Sequence, residues 1–217
     1  GGSSPAVYSV PDDVWRWFMG EDMIHVGEGI ASPVQLIGRR GGTAVLNTSD
    51  TRQDVSIGFF KGNPGLLAGG QNFRGVNFDE TVVSNARSIL FCGAIDFSHE
   101  SLSIFDDDPG HSIYIGFNDY FYVDIGPYAE ASGMVSDSAY HVWGVTVDAS
   151  SINLFFDSVP ILSELSEAFG NLEITSFLNT SPPDRIFFMS DYLIVPRALS
   201  QLEMTELSTA IINFRGI

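Results

Sequence analysis

The chain has 217 residues, of which 44% are hydrophobic, 12% aromatic and 17% charged, a balance that suits one domain with a sizeable core and argues against global disorder. It carries 27 acidic against 10 basic residues, a net charge of −17. Such a surface repels nucleic-acid phosphates and anionic lipid, so neither is an expected partner. The lone cysteine, Cys92, rules out an internal disulfide and lies in an apolar run that predicts a buried, inert thiol. No run reaches the roughly 18 apolar residues of a membrane-spanning helix, so membrane insertion is not expected.

Residues 1–5 read as a linker or cloning scar, leaving 6–217 as a single domain. The aromatic segment Val14-Trp15-Arg16-Trp17-Phe18-Met19 reads as a short strand. Glycines and a proline punctuate 27–43 around a short strand at Val34-Gln35-Leu36-Ile37. Segments 54–60 and 65–67 then lead into a Gly-Gly-Gln-Asn turn at 69–72.

From there strand signals follow at 88–95, 102–105, 112–117, 120–125, 140–147, 152–156, 172–177, 185–188 and 192–195. Short strands separated by Gly, Pro, Asn or Asp predict an all-β protein, a two-sheet antiparallel sandwich rather than βαβ units. In the hairpin, Trp143, Val145 and Val147 share a two-residue period with Ile152, Leu154 and Phe156 across a break at Asp148-Ala149-Ser150, which predicts one buried face. Helix is expected at 200–212, where Ser200 and Glu203 make an S-x-x-E capping box, with a weaker helical turn at 162–169.

Three stretches carry a resemblance. They are Tyr140-His141-Val142-Trp143-Gly144-Val145-Thr146-Val147-Asp148, then Leu154-Phe155-Phe156-Asp157, and Arg197-Ala198-Leu199-Ser200-Gln201-Leu202-Glu203. They resemble the laminin G-like and pentraxin-like branch of the concanavalin A-like lectin/glucanase superfamily. Tyr140 stands where that branch has Trp, and Ser158 where it has the Gly of an Asp-Gly turn. The resemblance implies a jelly-roll sandwich closed by a short C-terminal helix, with the first strand beside the last.

It also implies a calcium ion at the sandwich rim, held by a pair of Asp side chains and backbone carbonyls. The densest acidic run, Asp106-Asp107-Asp108, reads as a tight loop whose crowded carboxylates suit a hard cation. By position the resemblance makes Asp106 or Asp108 the first metal candidate, with a second carboxylate from a neighbouring loop, for which Asp119, Asp124 and Asp137 stand unranked.

For recognition, Tyr120 and Tyr122 alternate with Phe121, and form an aromatic platform if Phe121 faces the core; the opposite register buries them. His111, beside the acidic run, joins them as a ligand candidate. His25, His99 and His141 show no metal-ligand spacing. No carboxylate alternation of a retaining glycosidase and no G-x-S-x-G motif is present, so no enzyme activity is expected. The sequence thus points to a non-catalytic module that recognises a glycan or a protein surface with calcium as the implied cofactor, extracellular or on a virion such as a phage appendage, and open to homo-oligomer formation. A ligand-free assembly domain is the second reading, and a glycan-active hydrolase or lyase the third.

Overall fold

The structure is a computed structural model that describes residues 7–25, 34–41, 43–46, 54–69, 76–84, 87–95, 102–107, 112–116, 120–124, 128–131, 139–165, 172–177 and 186–217. In chain order the strands are β1 (Arg16–Met19), β2 (Met23–His25), β3 (Val34–Ile37), β4 (Thr43–Leu46), β5 (Asp54–Phe60) and β6 (Asn63–Gly69). They continue with β7 (Val76–Ser84), β8 (Arg87–Ile95), β9 (Leu102–Asp107), β10 (Ser112–Gly116), β11 (Tyr120–Asp124) and β12 (Tyr128–Ala131). The last are β13 (Tyr140–Val147), β14 (Ser151–Phe156), β15 (Val159–Leu165), β16 (Leu172–Phe177) and β17 (Ile186–Val195), followed by α1 (Gln201–Arg215).

These strands form two antiparallel sheets of a β-sandwich. One has eight strands in the order β15-β14-β13-β8-β17-β6-β5, with β1 also on β17; the other has nine, in the order β12-β11-β10-β9-β16-β7-β4-β3-β2. As expected, the first strand lies beside the last: Arg16, Trp17, Phe18 and Met19 pair with Ile194, Leu193, Tyr192 and Asp191. Strand β17 gives its other half to β6, through Ile186 to Met189. Gly20 makes the change of neighbour possible, because a Cβ there would lie 1.9 Å from the Pro64 carbonyl oxygen.

The hairpin register matches its apolar period. Trp143 pairs with Phe156, Val145 with Leu154 and Val147 with Ile152. Phe156 is half-buried and the other five are at most 3% exposed, each such burial being worth about 1.5–3 kcal/mol for a large aliphatic side chain. The single buried face expected here is in fact two. Leu90, Cys92, Val142, Phe155 and Leu193 are buried on the opposite face, where α1 covers them with Met204, Leu207 and Ile211. Gly144 marks the approach, since a Cβ there would meet Met204 Cε at 2.6 Å.

The helix is capped as its sequence demands. Ser200 Oγ accepts from the Glu203 amide at 3.2 Å, and the Ser200 amide donates back to Glu203 Oε2 at 2.8 Å. Arg197 holds the same carboxylate through Nη1 and Nη2 at 3.1 and 2.7 Å, and Gly216 ends the helix at φ 72. Among the described residues this is the one α-helix.

Three expectations fail. Residues 162–165 belong to β15 rather than to a helical turn, because pairing of Leu154 with Leu162 overrides a weak local preference. The strands expected at 185–188 and 192–195 are one strand, with a bulge where Ser190-Asp191 reads locally as a turn. Finally, Asp106 and Asp107 are strand residues of β9, not part of a loop.

Candidate functional site

The edge of the nine-stranded sheet is sorted by its register. In an antiparallel ladder, residues directly opposite one another share a face, and the faces alternate along each strand. Ile113, Val123 and Ala129 form one row, and Ile115, Phe121 and Ala131 another. The alternate rows are Tyr114, Tyr122 and Glu130, then Ser112, Asp124 and Tyr128, with Tyr120 opposite Gly116. Strand β9 continues both patterns, setting Phe105 opposite Ile113 and Asp106 opposite Ser112. By register, β10 to β12 thus place isoleucine, valine, phenylalanine and alanine in one set of rows and tyrosine, acidic and serine residues in the other, while β9 adds Phe105 and Asp107 to the first set and Asp106 to the second.

Of the sequence candidates, Tyr120, Tyr122 and Asp106 fall together in the second set, and the register puts Phe121 in the first. His111, Asp108 and Asp119 lie outside the described residues. Asp124, opposite Ser112, is the second-carboxylate candidate that the register brings into line with Asp106. Among the described residues no three His, Cys, Asp or Glu groups come together as a metal site.

Tyr114, Tyr128 and Glu130 were not singled out by sequence. The signal was present in the alternation of Tyr128-Ala129-Glu130-Ala131, a strand short enough to pass for a turn.

Two other clusters hold ionisable groups. His141 Nδ1 lies 2.6 Å from Asp157 Oδ2, and the ring centroid of His141 is 4.6 Å from that of Phe156. Asp157 also accepts from the Val142 amide at 2.9 Å, and its own amide donates to the Val142 carbonyl at 2.9 Å. Asp157 and Ser158 are the two residues of the β14–β15 turn, both left-handed at φ 45 and 68. The pair thus braces a turn against β13. A cavity of about 490 Å³ opens beside it, lined by Lys61, Tyr140, His141, Asp157 and Ile212.

The second cluster is sealed. Asp191 accepts from Arg215 Nε and Nη2 at 2.6 and 2.9 Å and from the Tyr8 hydroxyl at 2.7 Å, with side-chain exposure of 0% for both ions. Trp17 Nε1 donates to the Tyr8 hydroxyl at 3.1 Å, and Arg215 Nη1 reaches Glu21 at 2.7 Å. Burial pushes the Tyr8 hydroxyl and the Cys92 thiol well above their ordinary values, and the Asp191 charge adds to both. Burial alone would lower the Arg215 value, but Asp191 and Glu21 hold it above normal. This is a closed structural network that joins the N-terminal segment, β17 and α1; it offers no ligand access.

No protein-family model matches the sequence, and no curated protein is detectably similar to it. Solved structures do match. The botulinum neurotoxin serotype D ligand binding domain, solved in complex with N-acetylneuraminic acid, superposes with a TM-score of 0.65 at 13% identity, over 93% of this chain and 52% of that one. The receptor binding domain of botulinum neurotoxin D gives 0.63 at 12% identity, over 93% and 53%. Domain 4 of AbnA, an extracellular arabinanase from Geobacillus stearothermophilus, solved in complex with arabinotriose, gives 0.61 at 13% identity, over 90% of this chain and 98% of that domain. The chain spans about half the length of the toxin domains and nearly the whole of the arabinanase domain. At these identities the likeness is one of fold, and what it establishes is that the chain shares the β-sandwich architecture of these binding domains.

Proposed function

We propose that the protein is a non-catalytic carbohydrate-binding module of the concanavalin A-like kind, acting outside the cell or on a virion. The observation that carries this reading is the end-to-end match with a domain solved around arabinotriose, which is a whole-domain correspondence rather than a match to half of a larger chain. The toxin domain's sialic acid carries less, because only about half of that chain corresponds. The motif resemblance to laminin G-like domains supports the same architecture, and the register that sets both Asp106 and Asp124 opposite Ser112, on the strands either side of β10, supports calcium assistance at the β9–β11 rim.

One experiment tests both parts. The full chain is applied to an array of immobilised oligosaccharides in millimolar calcium and again in chelator. Retention on oligosaccharides that are recovered intact is the expected outcome, and cleaved sugar or no retention on any glycan defeats the module reading. Binding lost in chelator and in a variant carrying Asp106→Asn with Asp124→Asn is expected of calcium assistance; undiminished binding in chelator removes the metal and leaves the module.

A further inference from the structure

Beside the core that α1 covers, the outer face of the eight-stranded sheet carries a row of polar side chains. Ser88, Thr146, Asn153 and Ser163 stand directly opposite one another across β8, β13, β14 and β15. The fold itself uses one end of the row. Ser88 Oγ donates to the Arg197 carbonyl at 2.9 Å and accepts from the Leu199 amide at 2.7 Å, which tethers the segment leading into α1. Asn153 Nδ2 donates to Thr146 Oγ1 at 3.1 Å and to Ser151 Oγ at 3.4 Å, so the amide is held in place from one side. Asn153 Oδ1 and the Ser163 hydroxyl are engaged by no described residue. Thr146, Asn153 and Ser163 line a cavity of about 430 Å³ that Ser200 and Gln201, at the start of α1, line from the other side. Packing accounts for Ser88 and Thr146; it leaves the spare polar groups of Asn153 and Ser163 to whatever the cavity holds.

We propose that this cavity is a carbohydrate subsite, separate from the β9–β11 rim, that holds a short neutral sugar without calcium. The inference rests on the carbohydrate-binding reading above and adds to it a site on the other sheet. The volume lies toward the lower end of small-ligand sites, which run from about 300 to 1,000 Å³, and so suits a mono- or disaccharide rather than a longer chain. Its polar lining is amide and hydroxyl: Asn153, Ser163, Ser200 and Gln201 offer donors and acceptors together, as sugar hydroxyls require. Phe155, Pro160 and Leu199 add apolar wall against which the C–H face of a sugar ring sheds water. The same lining sets the ligand class. None of its ten described residues is acidic, basic or histidine, and the carboxylate of the first helical turn, Glu203, is already held by Arg197 and the Ser200 amide. A sugar acid would enter without a counter-ion on a chain of net charge −17, and a calcium ion would find no carboxylate in the lining. The cavity beside the β14–β15 turn differs on this point, because Lys61, His141 and Asp157 line it.

The test is titration of the full chain in chelator, where calcium-assisted retention on the array is lost, with millimolar arabinose, galactose, N-acetylglucosamine and arabinotriose, and with N-acetylneuraminic acid as the charged probe. Saturable binding of at least one neutral sugar is expected, with N-acetylneuraminic acid about tenfold weaker or more. Ser163→Phe sets a ring in the cavity from an exposed strand position and should weaken the neutral sugar about tenfold or more. Gln201→Ala removes an exposed amide and should weaken it about threefold, the loss of one ordinary hydrogen bond. Both positions are exposed, so an unchanged urea midpoint is expected and shows that lost binding is not a folding defect. Phe59→Ala removes a ring that is 73% exposed on β5, at the opposite edge of the sheet, and should change nothing. Neutral-sugar binding that survives Ser163→Phe overturns the cavity as its site. Preference for N-acetylneuraminic acid overturns the ligand class. Failure of every neutral sugar in chelator overturns the subsite, while calcium-dependent retention on the array would leave the module reading standing.

Discussion

Ser158 holds a backbone conformation that suits glycine better. At φ 68 it follows Asp157 at φ 45 in a two-residue turn between Phe156 and Val159, and left-handed backbone costs an L-residue with a side chain about 1–2 kcal/mol. Asp157 earns its position by bonding the Val142 amide and His141; the Ser158 carbonyl accepts from Thr205 Oγ1 at 3.1 Å, a backbone contact that any residue would keep. Ser158→Gly should therefore stabilise the protein, by up to about 1 kcal/mol after the added freedom of the unfolded chain is subtracted. A denaturant midpoint that falls in this variant would show that the serine side chain, not the backbone, matters at the turn. Asp148 plays the matching part at the other end of β14. Although partial burial opposes it, amide and hydroxyl donors from Ser150 and Ser151 hold its carboxyl below the usual range, which is how the sequence break at 148–150 becomes a tight turn.

At the scale of elements, the capping box of α1 offers the sharpest measurement. Removing the Ser200 hydroxyl leaves the Glu203 amide without its acceptor, so Ser200→Ala should cost about 1 kcal/mol, read as a lower urea midpoint with unchanged slope. Arg197 and the Ser200 amide hold the Glu203 carboxyl at about 2, against an ordinary 4.5. Because the folded value is depressed, this contribution is complete above about 4.5 and fades as pH falls towards 2. The helix and its cap were legible because every signal for them lies within seven adjacent residues, Arg197 to Glu203. The β13–β14 hairpin was legible for the same reason: one period-2 pattern fixed both strands. Strand β17 was not, since Asp191 is laddered to Cys92 of β8 and Met19 of β1 and held by Arg215 and Tyr8, partners that lie far off in the chain. The tyrosine rows of the candidate site were legible only within one strand. Alternation within β11 picked out Tyr120 and Tyr122, but which strands stand beside β11, and hence the rows that add Tyr114, Tyr128 and Glu130, is decided by pairing between strands.

At the scale of the whole molecule, the net charge of −17 opposes compactness, because like charges lie closer in the folded chain than in the unfolded one. Salt screens that repulsion over a Debye length that shrinks from about 30 Å at 0.01 M to about 10 Å at 0.1 M. The melting temperature should therefore rise with sodium chloride across this range, and a flat or falling curve would mean that ion pairs such as Arg197 with Asp13 and Glu203 outweigh the repulsion. The position of β17 has a different consequence, one of timing. This strand is the seam of its sheet, with β8 on one side and β6 and β1 on the other, and its Asp191 is held by Tyr8 from 183 residues away. Until β17 has left the ribosome, β1 has no partner, β5 and β6 stay apart from β8, β13 and β14, and the helix-side core lacks Leu193 and Val195. Folding of this domain is accordingly dominated by late, non-local closure, which is intrinsically slow and leaves unpaired strand edges exposed to neighbouring chains. Strands made earlier wait on β17 before they can be joined into one sheet.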